Sequence, residues 1–513
     1  MKAKSGIQRI LFSRTGFILI LMFLQFLVTV VTTRILFEYT VYVHGALTIL
    51  GVIVLIYIIN SEDNPAFKMT WMLAVMAFPA VGTIAYIYNK THFASKWIGE
   101  RLATLKIETS SYMMQDADIM DGLRASKSAN ANLAFYLSKQ LGFPTYRNTQ
   151  VKYFSLGEEK FEALIKELQK AKKFIFMEYF IVEKGYMWGT ILKILKEKVE
   201  EGVEVRFMYD GFCSVSMLPY NYPEQLKRFG IKAKAFNQLK PFLSTVYNNR
   251  DHRKICVIDG KVGFTGGINL GDEYINKKER FGHWKDTAVM LKGDAVQSLT
   301  MMFLQMWNVD EKEQENYEAY LTKKREGLRR ELGYIIPYGD SPFDNENVGE
   351  EVYFHILNHA KKYVHIMTPY LILDNEMITT LTRTAKSGVE VVIMMPHIPD
   401  KWYAFAVAKT YYQELIKAGV QIYEYEPGFV HAKVFVADGD TATVGTINMD
   451  YRSLYLHFEC GTFIYNNSVV DKIEADFQQT LKKCHKVTLL EVRNLSLLTK
   501  ICGQVLRLIA PLM

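Results

Sequence analysis

Three long runs without a formal charge open the chain. Residues 15–33 lie between Arg14 and Arg34, residues 39–60 hold only His44, and residues 69–89 lie between Lys68 and Lys90. Each run is about 20 residues, the length that crosses about 30 Å of hydrocarbon. A cleaved leader is not expected, because the first run is too long and no small-x-small site follows it. Lys2, Lys4, Arg9 and Arg14 precede the runs; Lys90, Lys96, Arg101 and Lys106 follow them; the connection 61–68 is slightly acidic. The excess of basic residues assigns both flanks to the cytoplasmic face. Three full crossings cannot satisfy that, so either one run does not cross or one end departs from the rule. The last two runs read as a hairpin, and the first stays open.

After residue 90 the period changes. Residues 91–145 read as a linker with amphipathic character. EKFEALIKELQKAKK (159–173) carries Phe161, Leu164, Ile165 and Leu168 on one helical stripe. FIFMEYFIV (174–182) follows as a buried strand, then a helix over 190–202 ending at Gly202, then the strand VEVRFMYD (203–210). This alternation predicts an α/β fold with a parallel or mixed sheet covered by helices. The order returns: AKKYVHIMTPYLI (360–372) echoes AKKFIFMEYFIV (171–182), and SGVEVVIMMP (387–396) echoes EGVEVRFMYD (201–210). A period of this length is too long for a solenoid, so it predicts one domain duplicated in tandem, over 146–335 and 336–513.

The duplication is strictest at HRKICVIDGKVGFTGGIN (252–269) and HAKVFVADGDTATVGTIN (431–448). His252 and His431, Lys254 and Lys433, Asp259 and Asp438, Gly266 and Gly445, and Asn269 and Asn448 all stand 179 residues apart. In extended chain, residues i and i+2 share a face, so each histidine projects with its lysine. The glycine allows close backbone approach and the asparagine adds an amide donor. An imidazole, an ammonium and an amide aimed at one spot fit a phosphate. Asp259 and Asp438 sit at strand ends before glycines, where a turn or ion-pair role suits them better than proton transfer.

Composition narrows the class less than the motifs do. A chain of 513 residues, 49% hydrophobic and 22% charged, is neither disordered nor fibrous. It has room for two or three domains. A net charge of +7 suits an anionic membrane or a phosphate-bearing substrate without requiring nucleic acid. The five cysteines (213, 256, 460, 484 and 502) include no CxxC pair. They suggest neither a disulfide framework nor a zinc ribbon, and a reducing compartment fits them.

The paired HxKxxxxD motifs, followed by GGxN and GTxN, resemble those of the phospholipase D superfamily. Longer stretches resemble the bacterial cardiolipin synthases: NPAFKMTW (64–71), GEEKFEAL (157–164), MEYFIV (177–182), HWKDTAV (283–289), PYGDSPFD (337–344), TPYLILDNE (368–376), IYEYEPGFVHAK (422–433) and RSLYLHFE (452–459). The resemblance runs from about residue 64 to the terminal RLIAPLM. It implies two phospholipase D-like domains, each a mixed sheet flanked by helices, related by a pseudo-two-fold axis around one active site. They would follow a membrane anchor over residues 1–90, with two or three transmembrane helices. The implied reaction joins two phosphatidylglycerols into cardiolipin and releases glycerol.

By the same resemblance, His252 attacks the phosphodiester to form a phosphatidyl-histidine, and His431 serves as general acid and base. The near-perfect duplication leaves that order open on the sequence alone. The motif set His252, Lys254, Asp259, His431, Lys433 and Asp438 is carried as catalytic. Lys254, Lys433, Asn269 and Asn448 would bind the phosphate oxygens. Asp286 and Glu459 would orient the histidines, in a pairing that spacing does not reveal. His457 stands where the family usually has asparagine; it replaces an amide hydrogen bond or tunes the site. No metal or cofactor is implied. The expected partners are phosphatidylglycerol, cardiolipin and the membrane, without nucleic acid; the oligomeric state is open. The implied location is the bacterial cytoplasmic membrane, multi-pass, with the catalytic part on the cytoplasmic side.

His355 and His359 have zinc-ligand spacing but no evident third ligand, so surface or capping roles are expected. Cys256 reads as a packed strand residue. Residues 487–513 have helical apolar spacing interrupted by Arg493, Lys500 and Arg507, which fits either a helix at the membrane interface or one packed on the core. Two other functions share these motifs: a hydrolase releasing phosphatidic acid, and a membrane-anchored polyanion binder without catalysis.

Overall fold

The computed structural model describes residues 39–90, 93–238, 249–322 and 333–512, with Phe23, Phe26, Leu27, Val30 and Val31. Most of the apolar run at 15–33 lies outside the described residues. The chain divides into two compact units, Met1–Phe93 with Leu508–Met513, and Ala94–Arg507.

In the smaller unit, helix α1 (Thr40–Asn60) is apolar around its whole circumference. Val41–Asn60 is the one described helix long and apolar enough to cross a membrane. The run at 69–89 is not a single helix. It is divided between α2 (Pro65–Ala77) and α3 (Pro79–Lys90). The cause is Pro79, whose ring excludes Phe78 from helical conformation; Phe78 has φ −137° and ψ 73°. The chain then doubles back. A Cβ on Gly82 would lie 2.4 Å from the Ala74 carbonyl oxygen, and Lys90 Nζ reaches Asp63 at 2.6 Å, back beside the start of α2. Helices of 13 and 12 residues are about 20 Å long. Neither half of this hairpin spans hydrocarbon by itself. Val54, Ile58, Val75 and Tyr86 form a small core among the three helices.

The larger unit holds two sheets with one plan. Its strands are β1 (Thr149–Phe154), β2 (Phe174–Tyr179), β3 (Glu204–Asp210), β4 (Lys232–Phe236), β5 (Ile255–Ile258), β6 (Val262–Gly266), β7 (His283–Lys285) and β8 (Ala288–Gly293) in the first half. The second half has β9 (Tyr334–Asp340), β10 (Tyr363–Met367), β11 (Leu371–Ile372), β12 (Glu390–Pro396), β13 (Gln421–Tyr425), β14 (Gly428–Val430), β15 (Val434–Ala437), β16 (Thr441–Gly445), β17 (Met449–Asp450), β18 (Glu459–Tyr465) and β19 (Cys484–Lys486). The first sheet runs β1-β8-β6-β5-β2-β3-β4. The second runs β9-β18-β16-β15-β10-β12-β13, with β19 added at its edge. Pairing is parallel from β2 to β4 and from β10 to β13, and antiparallel elsewhere in each sheet. The expected α/β duplication is thus present strand by strand.

Local sequence accounts for the elements. Every residue of β2 is buried, which suits a central strand covered on both faces. Helix Gly157–Leu168 buries Phe161, Leu164 and Leu168, while its opposite face stays polar. The segment expected as a linker, 91–145, instead carries the helices Phe93–Thr109 and Ala117–Ala125, and from Ala94 it belongs to the larger unit. It is tied down there: Gln305 Nε2 donates to Thr109 Oγ1 at 2.7 Å. At the C-terminus, Gly503 of helix Leu497–Leu508 packs against the helix Trp402–Lys417, where a Cβ would meet the Ala406 carbonyl oxygen at 2.7 Å. Leu497, Leu498, Ile501, Val505 and Leu508 face outward and are exposed.

Candidate active site

Each half delivers its histidine on the short approach to β5 or β15. The backbone fixes both across the two halves. His252 N–H donates to the Phe458 carbonyl at 2.9 Å, and His431 N–H donates to the Lys285 carbonyl at 2.7 Å. Beside these bonds, β14 pairs in parallel with β7, and Asp251 bridges to Phe458. The residues that follow those two carbonyls are Glu459 and Asp286.

The carboxylates are therefore exchanged. His252 Nδ1 lies 2.8 and 2.9 Å from the two oxygens of Glu459 in the second half. His431 Nδ1 lies 2.6 Å from Asp286 Oδ2 in the first half. A carboxylate only accepts, so Nδ1 carries the proton in each ring and Nε2 is left with its lone pair. Both acids are completely buried.

The lysines close the cluster. Lys254 Nζ donates to the His252 carbonyl at 2.5 Å, and Lys433 Nζ donates to the His431 carbonyl. Burial, and the charge of the other lysine on Lys433, lower them from the usual ammonium range, Lys254 to about 8 and Lys433 to about 7. Burial and these two cations also push His252 well below the ordinary imidazole value. Burial and Lys433 bring His431 down to about 4 against the pull of Asp286.

The two halves differ in detail. Glu459 is shared: beyond His252 it accepts from the Thr446 hydroxyl, and His457 Nδ1 lies 3.7 Å away. Asp286 bonds His431 through one oxygen and accepts the Thr287 N–H through the other. The counterpart of Thr446 is Gly267, where a Cβ would stand 2.0 Å from Asp286 Oδ1. Each histidine is also walled by rings. His252 has Phe180 at 4.8 Å and His457 at 5.5 Å between centroids; His431 has Trp284 at 5.4 Å and Tyr274 at 5.6 Å.

Asn269 is buried and engaged, with Oδ1 accepting the Ile181 N–H and Nδ2 donating to Tyr274 Oη. Asn448 is buried, and its Oδ1 has no hydrogen-bond partner among the described residues. Asp259 and Asp438, carried with the motif set, directly follow the far ends of β5 and β15. Asp259 accepts from the N–H groups of Lys172, Lys173 and Phe174; Asp438 accepts from those of Lys361, Lys362 and Tyr363. Both adopt φ +53° and pin the start of the neighbouring strand.

His355 and His359 are accounted for locally, with His355 Nε2 2.9 Å from Asn130 Oδ1 and His359 Nδ1 2.9 Å from the His355 carbonyl. Cys256 is buried in β5. Sequence reasoning did not single out Thr446, Gly267, Phe180, Tyr274 or Trp284. The one signal was the mismatch of GGIN with GTIN inside an otherwise strict repeat.

Comparison with known proteins shows the family. Residues 164–307 and 353–481 match a family described as cardiolipin synthase, PLD-like domain. Residues 47–88 match one described as phospholipase D-nuclease N-terminal. An uncharacterized protein of Streptococcus mutans serotype c is 51% identical over 89% of this chain and 99% of its own length. A cardiolipin synthase of Alkalihalophilus pseudofirmus is 34% identical over 89% of this chain and 91% of its own. Among solved structures, phosphatidylserine synthase from Haemophilus influenzae Rd KW20 superposes with a TM-score of 0.55 at 15% identity, covering 71% of this chain and 93% of that one; the likeness is one of fold.

Proposed function

Since the chain belongs to the cardiolipin synthase family, with its PLD-like domains, we propose that it joins two phosphatidylglycerol molecules into cardiolipin and glycerol through a phosphatidyl-histidine. The observation that carries this reading is the carboxylate exchange, which supports one reaction centre with two oriented imidazoles and two lysines.

His252 is the nucleophile. Its Nε2 attacks phosphorus, and the bond to the glycerol oxygen breaks. His431 gives that oxygen its proton, then takes the proton of the incoming hydroxyl as the second lipid attacks the intermediate. The acids support this order. Asp286 places its charge on His431 through one short bond, which favours a protonated imidazole. Glu459 divides its charge among His252, Thr446 and His457, which leaves His252 neutral and nucleophilic. The anionic phosphodiester offsets the repulsion from the lysines on arrival and so raises His431 toward protonation. Lys254, Lys433 and the amide of Asn448 hold the non-bridging oxygens as charge builds. Asn269, already bonded on both ends of its amide, serves chiefly to hold its loop.

The same reading has α1 cross the membrane, while the hairpin α2–α3, each half too short to span, stays at one face. The exposed apolar face of Leu497–Leu508, with Lys500 and Arg507, suits the lipid interface.

The test is product analysis. Purified protein in detergent is given phosphatidylglycerol alone, with lipids and free glycerol quantified. Cardiolipin with an equal amount of glycerol is expected. Phosphatidic acid without cardiolipin would move the protein to a hydrolase, since both reactions share the first step and differ in the acceptor.

A further inference from the structure

Glu459 lies near His457, but no hydrogen bond accounts for the ring. The His457 side chain is 92% buried, yet neither ring nitrogen forms a hydrogen bond with any described residue. One donor atom from each of His252, His457 and Glu459 lies within 4.8 Å of the others. Two imidazoles and a carboxylate are a donor set that zinc accepts, with metal–ligand bonds of about 2.0–2.2 Å and a fourth position left to water. Only the His457 ring, which nothing anchors by hydrogen bonding, has to turn to close the triangle.

We propose that His252, His457 and Glu459 form an inhibitory site for a borderline transition-metal ion, zinc foremost. The ion takes the Nδ1 position of His252, where the proton now bonds Glu459. The ring then carries its proton at Nε2, and no proton leaves the protein. The nitrogen that faces the phosphodiester has lost its lone pair, so the first displacement stops. Lys254 and Lys433 repel any cation here. The site therefore selects ions with strong bonds to imidazole nitrogen, zinc or copper, over magnesium or calcium. Among the described residues the other half has no such site, because the ring corresponding to His457 is Trp284, whose indole nitrogen offers no lone pair.

Binding stands on the geometry alone; inhibition rests on the nucleophile assignment above. The experiment separates them. Full-length protein in detergent is stripped with chelator and titrated with buffered zinc, and bound metal is counted by equilibrium dialysis. Wild type should take up one zinc that His457→Asn binds more than about a hundredfold more weakly, beyond the roughly 10–100-fold that loss of an outer-shell contact costs. Cobalt(II) added to the wild type should give the visible bands of a tetrahedral site with nitrogen ligands, a reading independent of how the variant folds. In parallel, the ratio of rates with and without zinc is measured within each variant. It should fall in wild type, recover with chelator, and stay nearer one in His457→Asn. Equal zinc uptake by both proteins, or no tetrahedral cobalt spectrum in wild type, overturns the site. Uptake lost in the variant but without inhibition in wild type keeps the site and overturns the nucleophile assignment.

Discussion

His252 and His431 begin from similar surroundings, and the proposed mechanism asks them for opposite protonation states. Replacing either with alanine should lower turnover by at least about a thousandfold, as loss of a nucleophile or general acid does. The intermediate tells them apart: radiolabelled phosphatidyl groups should remain bound to His431→Ala on denaturing gels and be absent from His252→Ala. Equal labelling of the two would reverse or abolish the assignment. The cations set the pH dependence. In the free enzyme, Lys433 loses its proton near 7 and Lys254 near 8. The value of kcat/KM should therefore decline as pH rises through that interval, while kcat, measured with the anionic lipid bound, declines later. Stability runs the other way. An unfolded imidazole takes up a proton near 6.5, whereas folded His431 resists to about 4 and His457 to about 3. The unfolded chain thus binds more protons throughout that window. The denaturation midpoint should fall as pH drops from about 7 toward 3, most steeply between the unfolded and folded values.

At the scale of elements, the catalytic pairing depends on two turns that differ by one side chain. Gly267 leaves space for Asp286, and Thr446 fills the corresponding space with a hydroxyl bonded to Glu459. Gly267→Ala should push Asp286 off His431 and reduce kcat by about a hundredfold or more, the value of a positioned acid, with KM little changed. An unchanged kcat would mean that Asp286 does not orient the imidazole. Much of this scale was legible beforehand. The buried run of β2, the stripe of Phe161, Leu164 and Leu168, and the 179-residue repeat each report a local periodicity, and periodicity survives in sequence. The pairing of Glu459 with His252 was not legible, because it joins positions 207 residues apart through a strand exchange that no spacing records. The apolar run at 69–89 misled for a different reason. Hydropathy sums side chains, whereas the break at Phe78 is a backbone effect of Pro79. Asp259 and Asp438 share the motif because each half needs the same turn, so repetition by itself could not separate scaffold from chemistry.

Over the whole molecule, the substrate is a lipid, and the protein has apolar surface to meet it. Leu498 and Ile501 on the outer face of Leu497–Leu508 are exposed, Leu498 at 73%. Changing both to aspartate should weaken sedimentation of the protein with phosphatidylglycerol vesicles, while activity toward short-chain lipid dispersed in detergent is retained. Vesicle binding that does not change would assign membrane contact to the N-terminal helices alone. The carboxylate exchange has a last consequence. Each half lends its acid and keeps its histidine, so the chain behaves as a dimer whose two subunits were joined end to end. Cut between residues 322 and 333, it would yield two pieces that each retain a histidine and a lysine and lack the acid that orients that histidine. Neither piece should turn over alone. Mixed, they should recover activity that rises with the product of their concentrations until the complex is full, turning a first-order enzyme into one whose rate reports an association constant.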